Sequence, residues 1–181
     1  MDTENCTNLY LQVCQTFLTC QYDDPSSFED LYKLLPWLRQ SLTCCVCSKV
    51  VVDPMSSTQS HCQHFVCEKC RGGKMVLRPS CSWCKDADAF VTNEHLVMLV
   101  QCFSKICDLI MNSPIIDYIN KYDHNRQKEV ALAMKANSTT NEGHSKKRRN
   151  GTRRHQVSSR ILNISVSQVL QDGLNAKKCL S

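Results

Sequence analysis

No stretch of this 181-residue chain approaches the roughly 18 consecutive apolar residues that a membrane-spanning helix needs, so no membrane span is expected. No apolar run follows the start either. Met1-Asp2-Thr3-Glu4-Asn5 is acidic, which argues against a secretory leader. Internal repeats are absent. Aromatic residues are scarce at 7%, and hydrophobic residues reach 42%, enough for a core but not a generous one. The length suits one ordinary domain or a small module with appendages. What the chain has in excess is cysteine: 14 residues, about 8% of the whole. In the reducing compartment expected for a chain without a leader, that many cysteines point to metal rather than to disulfides.

Charge is unevenly placed. Residues 1–40 carry two basic and six acidic groups, residues 41–90 six and four, and residues 91–140 five of each. Residues 141–181 hold nine basic and two acidic groups, so the net +5 belongs to the tail.

The first forty residues read as helix, turn, helix. Leu9, Val13 and Phe17 form one stripe at helical spacing. Asp23-Asp24-Pro25 ends that segment, and Ser26 with Glu29 has the spacing of a capping box. Phe28, Leu31, Leu35, Leu38 and Leu42 follow at helical intervals, with a kink or short break expected at Pro36. Val50-Val51-Val52 is the one β-like run in the next segment. A third helix is expected after Asn93 as N-cap, with Leu96, Leu99, Phe103, Ile106 and Ile110 stepping by three and four until Ser113-Pro114. Residues 115–135 have the pattern of a weak helix. From Asn137 the chain is polar and basic and reads as disordered, and Ile161 to Leu170 is too short and isolated to fold alone.

Between Cys44 and Cys84 stand four pairs of metal-ligand residues: Cys44 and Cys47, Cys62 and His64, Cys67 and Cys70, Cys81 and Cys84. A Cys-x2-Cys pair folds into a tight turn that lets both sulfurs reach one tetrahedral Zn²⁺ at about 2.3 Å. Cys62, His64, Cys67 and Cys70 lie too close together to serve one ion comfortably, which favours a crossed arrangement. One site then takes Cys44, Cys47, Cys67 and Cys70, and the other Cys62, His64, Cys81 and Cys84. With no open position, both ions are structural. Two alternatives of register stay open: Cys45 in place of Cys44, and His61 in place of Cys62.

Three cysteines, a histidine and four cysteines at these spacings resemble the RING finger family. A PHD-type finger has its histidine at the fifth ligand, where Cys67 stands. The resemblance implies a small α+β RING domain, cross-braced by two structural Zn²⁺ ions and flanked by α-helices, with a disordered basic C-terminal tail. The expected divisions are N-terminal scaffold-binding helices at 1–42, the RING finger at 43–86, a post-RING helix at 87–112 and a weakly structured tail at 113–181.

The resemblance also implies a ubiquitin ligase, which holds a ubiquitin-charged conjugating enzyme and orients its thioester for lysine attack, with no covalent intermediate on this chain. The family's contact positions fall on Val46, just before the second ligand, and on Ser82 and Trp83, between the last two. Lys85, after the last ligand, takes the catalytic position that bonds both ubiquitin and the conjugating enzyme. The family often has proline at Ser82, an apolar residue at Lys74 and arginine at Lys85. Lysine lacks the planar fork of arginine, and Met75, Val76 and Leu77 offer apolar surface in place of Lys74. Packing over a zinc loop is the alternative role of Trp83, and simple solvation that of Lys85.

The run Leu34-Leu35-Pro36-Trp37-Leu38-Arg39-Gln40-Ser41-Leu42, with Cys44-Cys45-Val46-Cys47, Cys62-Gln63-His64 and Pro79-Ser80-Cys81-Ser82-Trp83-Cys84-Lys85, is similar to the RING subunits of male-specific lethal chromatin complexes. That likeness extends over residues 8–112. It implies a coiled-coil scaffold subunit as partner, histone in the nucleosome as substrate, and a nuclear, chromosomal location. The seam of Leu96, Leu99, Phe103, Ile106 and Ile110 is the expected scaffold contact, with packing onto the N-terminal helices as the alternative. The family's downstream DNA-contacting domain is cysteine-rich, and here only Cys179 follows Cys107, so specific DNA binding is not carried over. Lys146-Lys147-Arg148-Arg149 with Arg153-Arg154 reads as a nuclear localisation signal or weak phosphate contact. A catalytically weak assembly module that only binds the scaffold is the rival reading. A nucleic-acid-reading finger fits poorly, because seven thiolates on two Zn²⁺ ions bring residues 41–90 from +2 to −1.

Overall fold

A computed structural model describes residues 3–21, 23–58, 64–72, 89–138 and 164–179. Helix α1 (Thr3–Thr19) buries Val13 of the stripe read from its sequence, with Leu9 and Phe17 packed at its margin, and adds Cys6, which that stripe did not include. The Cys6 thiol donates to the Ser41 carbonyl at 3.4 Å, which ties α1 to the end of α2 (Glu29–Ser41). Between these helices, Asp24 rather than Ser26 caps the chain. Its carboxylate accepts the Ser26 amide at 2.9 Å and opens a 3₁₀ turn over Pro25–Phe28 that leads into α2. The Ser26–Glu29 capping box expected from spacing is therefore replaced by an Asx cap two residues earlier.

Helix α2 runs through Pro36 without a break. The proline removes one backbone donor, but Leu31 and Leu35 before it and Leu38 after it are all buried, so packing on both sides holds the helical path.

Three short antiparallel strands follow: β1 (Pro54–Ser57), β2 (Phe65–Cys67) and β3 (Phe90–Thr92), in the order β2-β1-β3. Met55 pairs with Val66 on one side and Thr92 on the other. The Val50–Val52 run is not a strand. It makes a single bridge, Val50 to Thr43, and buries Val50 and Val51 beneath the turn that precedes β1.

Helix α3 (Glu94–Met111) begins at Asn93 as expected, with the Leu96 amide donating to Asn93 Oδ1 at 2.9 Å. The same side chain donates from Nδ2 to Ser56 Oγ at 3.1 Å, which fixes α3 to the sheet.

The region read as a weakly structured tail contains two packed helices, α4 (Ile115–Ser138) and α5 (Val166–Cys179). Residues 139–163, including the basic cluster, lie outside the described residues. Tyr122 of α4 stacks on Tyr32 of α2 with ring centroids 4.0 Å apart, and Tyr118 meets Phe28 at 5.5 Å. Helix α5 lies along α3, its most extensive partner, and buries Val166, Val169, Leu170 and Ala176. Arg39 of α2 bonds Asp172 through Nε at 2.6 Å. The sequence conceals this docking because the helix has no stability alone. Its partners lie far upstream in the chain.

The same packing changes the reading of the α3 seam. Leu96, Leu99, Phe103, Ile106 and Ile110 are all buried within the chain itself, covered by α1, α4 and α5. They are core, not an open scaffold contact.

Gly173 shows how closely α5 sits on α3. A Cβ at this position would lie 2.5 Å from Cys107 Sγ and 2.9 Å from Cys107 Cβ. Alanine is the better helix former by about 1 kcal/mol, yet contacts this short force the helices apart. Gly173→Ala should lower stability by about 1–3 kcal/mol in urea titration. A stabilised variant would show that α5 does not approach α3 as described.

Candidate metal centre

Cys44, Cys47, Cys67 and Cys70 place their sulfurs within 4.8 Å of one another. Two backbone turns bring them there. In the first, the Cys44 amide donates to the Lys49 carbonyl at 2.8 Å and the Ser48 amide to the Cys44 carbonyl at 3.0 Å. Ser48 closes this turn in the left-handed region, at φ 62°. In the second, Cys67 ends β2 and a 3₁₀ turn over Glu68–Cys70 follows, with the Arg71 amide donating to the Glu68 carbonyl at 3.0 Å. The Cys45 amide, donating to the Phe65 carbonyl at 2.9 Å, joins the two turns.

This resolves one register: Cys44, not Cys45, belongs to the four-sulfur group. The donor set suits zinc. A tetrahedron of Zn–S bonds of about 2.3 Å has edges of about 3.8 Å, and Cys47 Sγ lies 4.0 Å from Cys67 Sγ.

Backbone amides are aimed at the sulfurs. Val46 and Cys67 N–H groups each donate to Cys44 Sγ at 3.4 Å, and the Val52 N–H to Cys67 Sγ at 3.3 Å. These donors favour thiolate. The Cys67 thiol bonding to its sulfur, aided by backbone N–H groups, pulls the Cys44 pKa down to about 4. Cys67 moves up, because Cys44 holds its proton in place and burial adds to the effect. Cys70 is pushed up to about 11, first by burial and then by the neighbouring Cys44. The protein alone thus favours one thiolate. A dication offsets the charge of the others.

Residues 42–111 match a family described as the zinc RING finger of MSL2. Over 90 residues the chain is 39% identical to the E3 ubiquitin-protein ligase msl-2 of Drosophila melanogaster. This segment is a RING finger resembling that of MSL2. The match takes in 48% of the chain and 12% of the fly protein's length.

Within the RING finger, His64 is described and half-buried just before β2. Cys62, Cys81, Cys84 and the alternative His61 lie outside the described residues, as do Leu77, Ser82, Trp83 and Lys85. Val46 sits between Cys44 and Cys47, partly buried and packed against the core. The amides of Val46, Val52 and Cys67 are functional groups that residue identity does not reveal. Every residue but proline carries an N–H, and only the fold decides which three point at sulfur.

The geometry separates adjacent cysteines. Cys44→Ser should lose the ion held at this site, whereas Cys45→Ser should keep it. Metal analysis of the purified variants checks this, and the reverse pattern would mean that Cys45 is the ligand.

Proposed function

We propose that the chain acts as a RING-type ubiquitin ligase. It positions a ubiquitin-charged conjugating enzyme for transfer to lysine, with histone in the nucleosome as substrate, as the nuclear subunit of a complex of the male-specific lethal type. The observation that carries this reading is the four-sulfur cluster inside the segment that matches an MSL2-type RING finger.

Zinc would be held at two sites. Cys44, Cys47, Cys67 and Cys70 form the first, and Cys62, His64, Cys81 and Cys84 the second, in a cross-brace whose role is structural. The metal holds the two loops in place when bound. Transfer then follows from positioning: the conjugating enzyme docks on Val46, Leu77, Ser82 and Trp83, and Lys85 bonds both partners and restricts the thioester to an attackable geometry. No bond to ubiquitin forms on this chain.

The scaffold contact belongs to residues 1–42. With the α3 seam buried, the large apolar side chains left in solvent there, among the described residues, are Leu11 and Leu18 of α1, 50% and 79% exposed, and Trp37 of α2, 38% exposed. They suit the apolar stripe of a coiled coil. Among the described residues no single helix is long and apolar enough to cross a membrane.

An autoubiquitination assay with a panel of conjugating enzymes tests the proposal. Val46→Ala and Trp83→Ala should each lower transfer roughly tenfold, the equivalent of about 1.4 kcal/mol of lost partner binding. Zinc analysis should still find two ions per chain in both variants. Ubiquitin transfer with no enzyme of the panel, alongside retained coiled-coil binding, would leave an assembly module in place of a ligase.

A further inference from the structure

The first turn of α5 is capped from outside its own segment. Asp123 of α4 accepts the Val166 amide at 3.0 Å, the Ser167 amide at 2.8 Å and the Ser167 hydroxyl at 2.7 Å. Ser165 Oγ accepts the Gln168 amide at 3.1 Å, so the first three helical amides all have partners. Asp123 is only 5% exposed. One buried carboxylate therefore takes three donors from α5. Ser167 is half-buried at the edge of this junction, with Asn120 Oδ1 a second acceptor 3.0 Å from its hydroxyl. Glutamine follows it directly, a local context that one class of serine kinases selects.

We propose that Ser167 is a phosphorylation site, and that its phosphate detaches α5 from α4 and uncovers the α3 face around Phe103 and Cys107. In the modification, Ser167 Oγ forms a bond to the γ-phosphorus of ATP. The bond to the departing ADP oxygen breaks, and the hydroxyl proton passes to the kinase's base. The kinase acts on a transiently opened α5. A 14-residue helix with one packed face opens more readily than the rest of the bundle.

The phosphate then prevents closure. It removes a hydroxyl donor and brings a charge of about −1.5 to −2 to an oxygen that otherwise sits against a buried carboxylate. Like charges at hydrogen-bond range repel, and the more so where one of them is a buried carboxylate. The phosphate is also a cap in its own right, because its oxygens accept amides in the first turn of α5. Away from α3 a 14-residue helix has little stability of its own, and this cap offsets only part of that loss. Asp123 loses its donors, gains a repelling neighbour and recovers hydration only when α5 moves away. Against this stand the Arg39–Asp172 ion pair and the apolar face of Val166, Val169, Leu170 and Ala176 around Gly173, so the phosphate shifts the docking equilibrium toward the open form without abolishing the docked one.

Cys107 is fully buried and reports the state of this junction. The zinc-loaded full chain carrying genetically encoded phosphoserine at position 167 is compared with the unmodified chain and with Ser167→Ala. Each is treated with N-ethylmaleimide under native conditions, and modification of Cys107 is followed by peptide mass spectrometry. Phosphoserine should accelerate Cys107 modification about tenfold or more, a shift of about 1.4 kcal/mol in opening. Zinc content should be unchanged, and far-ultraviolet helicity should fall by no more than the share that α5 contributes. Ser167→Ala should leave Cys107 protected. Asp123→Asn, combined with phosphoserine, should restore protection, because an amide donates to phosphate where a carboxylate repels it. Expression in cultured animal cells followed by phosphopeptide mapping should find phosphate on Ser167. Undiminished protection of Cys107 in the phosphoserine chain, equal acceleration with Asp123→Asn, or an unmodified Ser167 in cells would each overturn the proposal.

Discussion

Four sulfurs converging at the meeting of two turns impose a condition on everything around them: beyond the first, they become thiolates together only when a cation offsets their charge. The chain prepares the site for one thiolate through the amides aimed at Cys44. Each further thiolate depends on metal. The sheet depends on the same cluster. Its strands are three or four residues long and bury too little to persist alone. Cys67 is the last residue of β2, so holding its sulfur also holds the pairing of β2 with β1. From β1 the dependence passes through Ser56 to Asn93, and from Asn93 to the first turn of α3. The sulfur cluster thereby bears on the start of the helix on which the others pack.

Helix α3 divides the chain's surfaces. Its apolar seam faces inward and meets helices from before and after the finger, while Met98 and Leu109 on its other side stay in solvent, as do Leu11 and Leu18 of α1, Trp37 of α2 and Val130 and Leu132 of α4.

What could be read from the sequence was local. The grouping of Cys44 and Cys47 with Cys67 and Cys70 follows from ligand type and spacing, and the Asn93 cap from a preference acting over three residues. Helices α1 to α3 announce themselves by the period of their apolar residues. The misreadings share a cause, which is that distance in sequence hides proximity in space. Val50-Val51-Val52 has the composition of a strand, but a strand needs a neighbour along its length, and only Val50 has one. Pro36 looks like a helix breaker until the burial on either side of it is known. Helix α5 reads as an isolated fragment because its cap, Asp123, is supplied from 43 residues away and its ion-pair partner, Arg39, from 133 away.

Those separations also order the assembly of the molecule. The two halves of the sulfur cluster are about twenty residues apart, and Cys47 and Cys67 close a loop whose entropic cost is modest. The Arg39–Asp172 pair closes a loop spanning most of the chain. Short loops close first. Docking of α5 also needs a groove built from α2, α3 and α4, so it has no binding site until the others have come together. Among the described elements, α5 is accordingly the one whose docking site is completed last. In a protein made on the ribosome it emerges only after everything it packs on, so synthesis and assembly proceed in the same order.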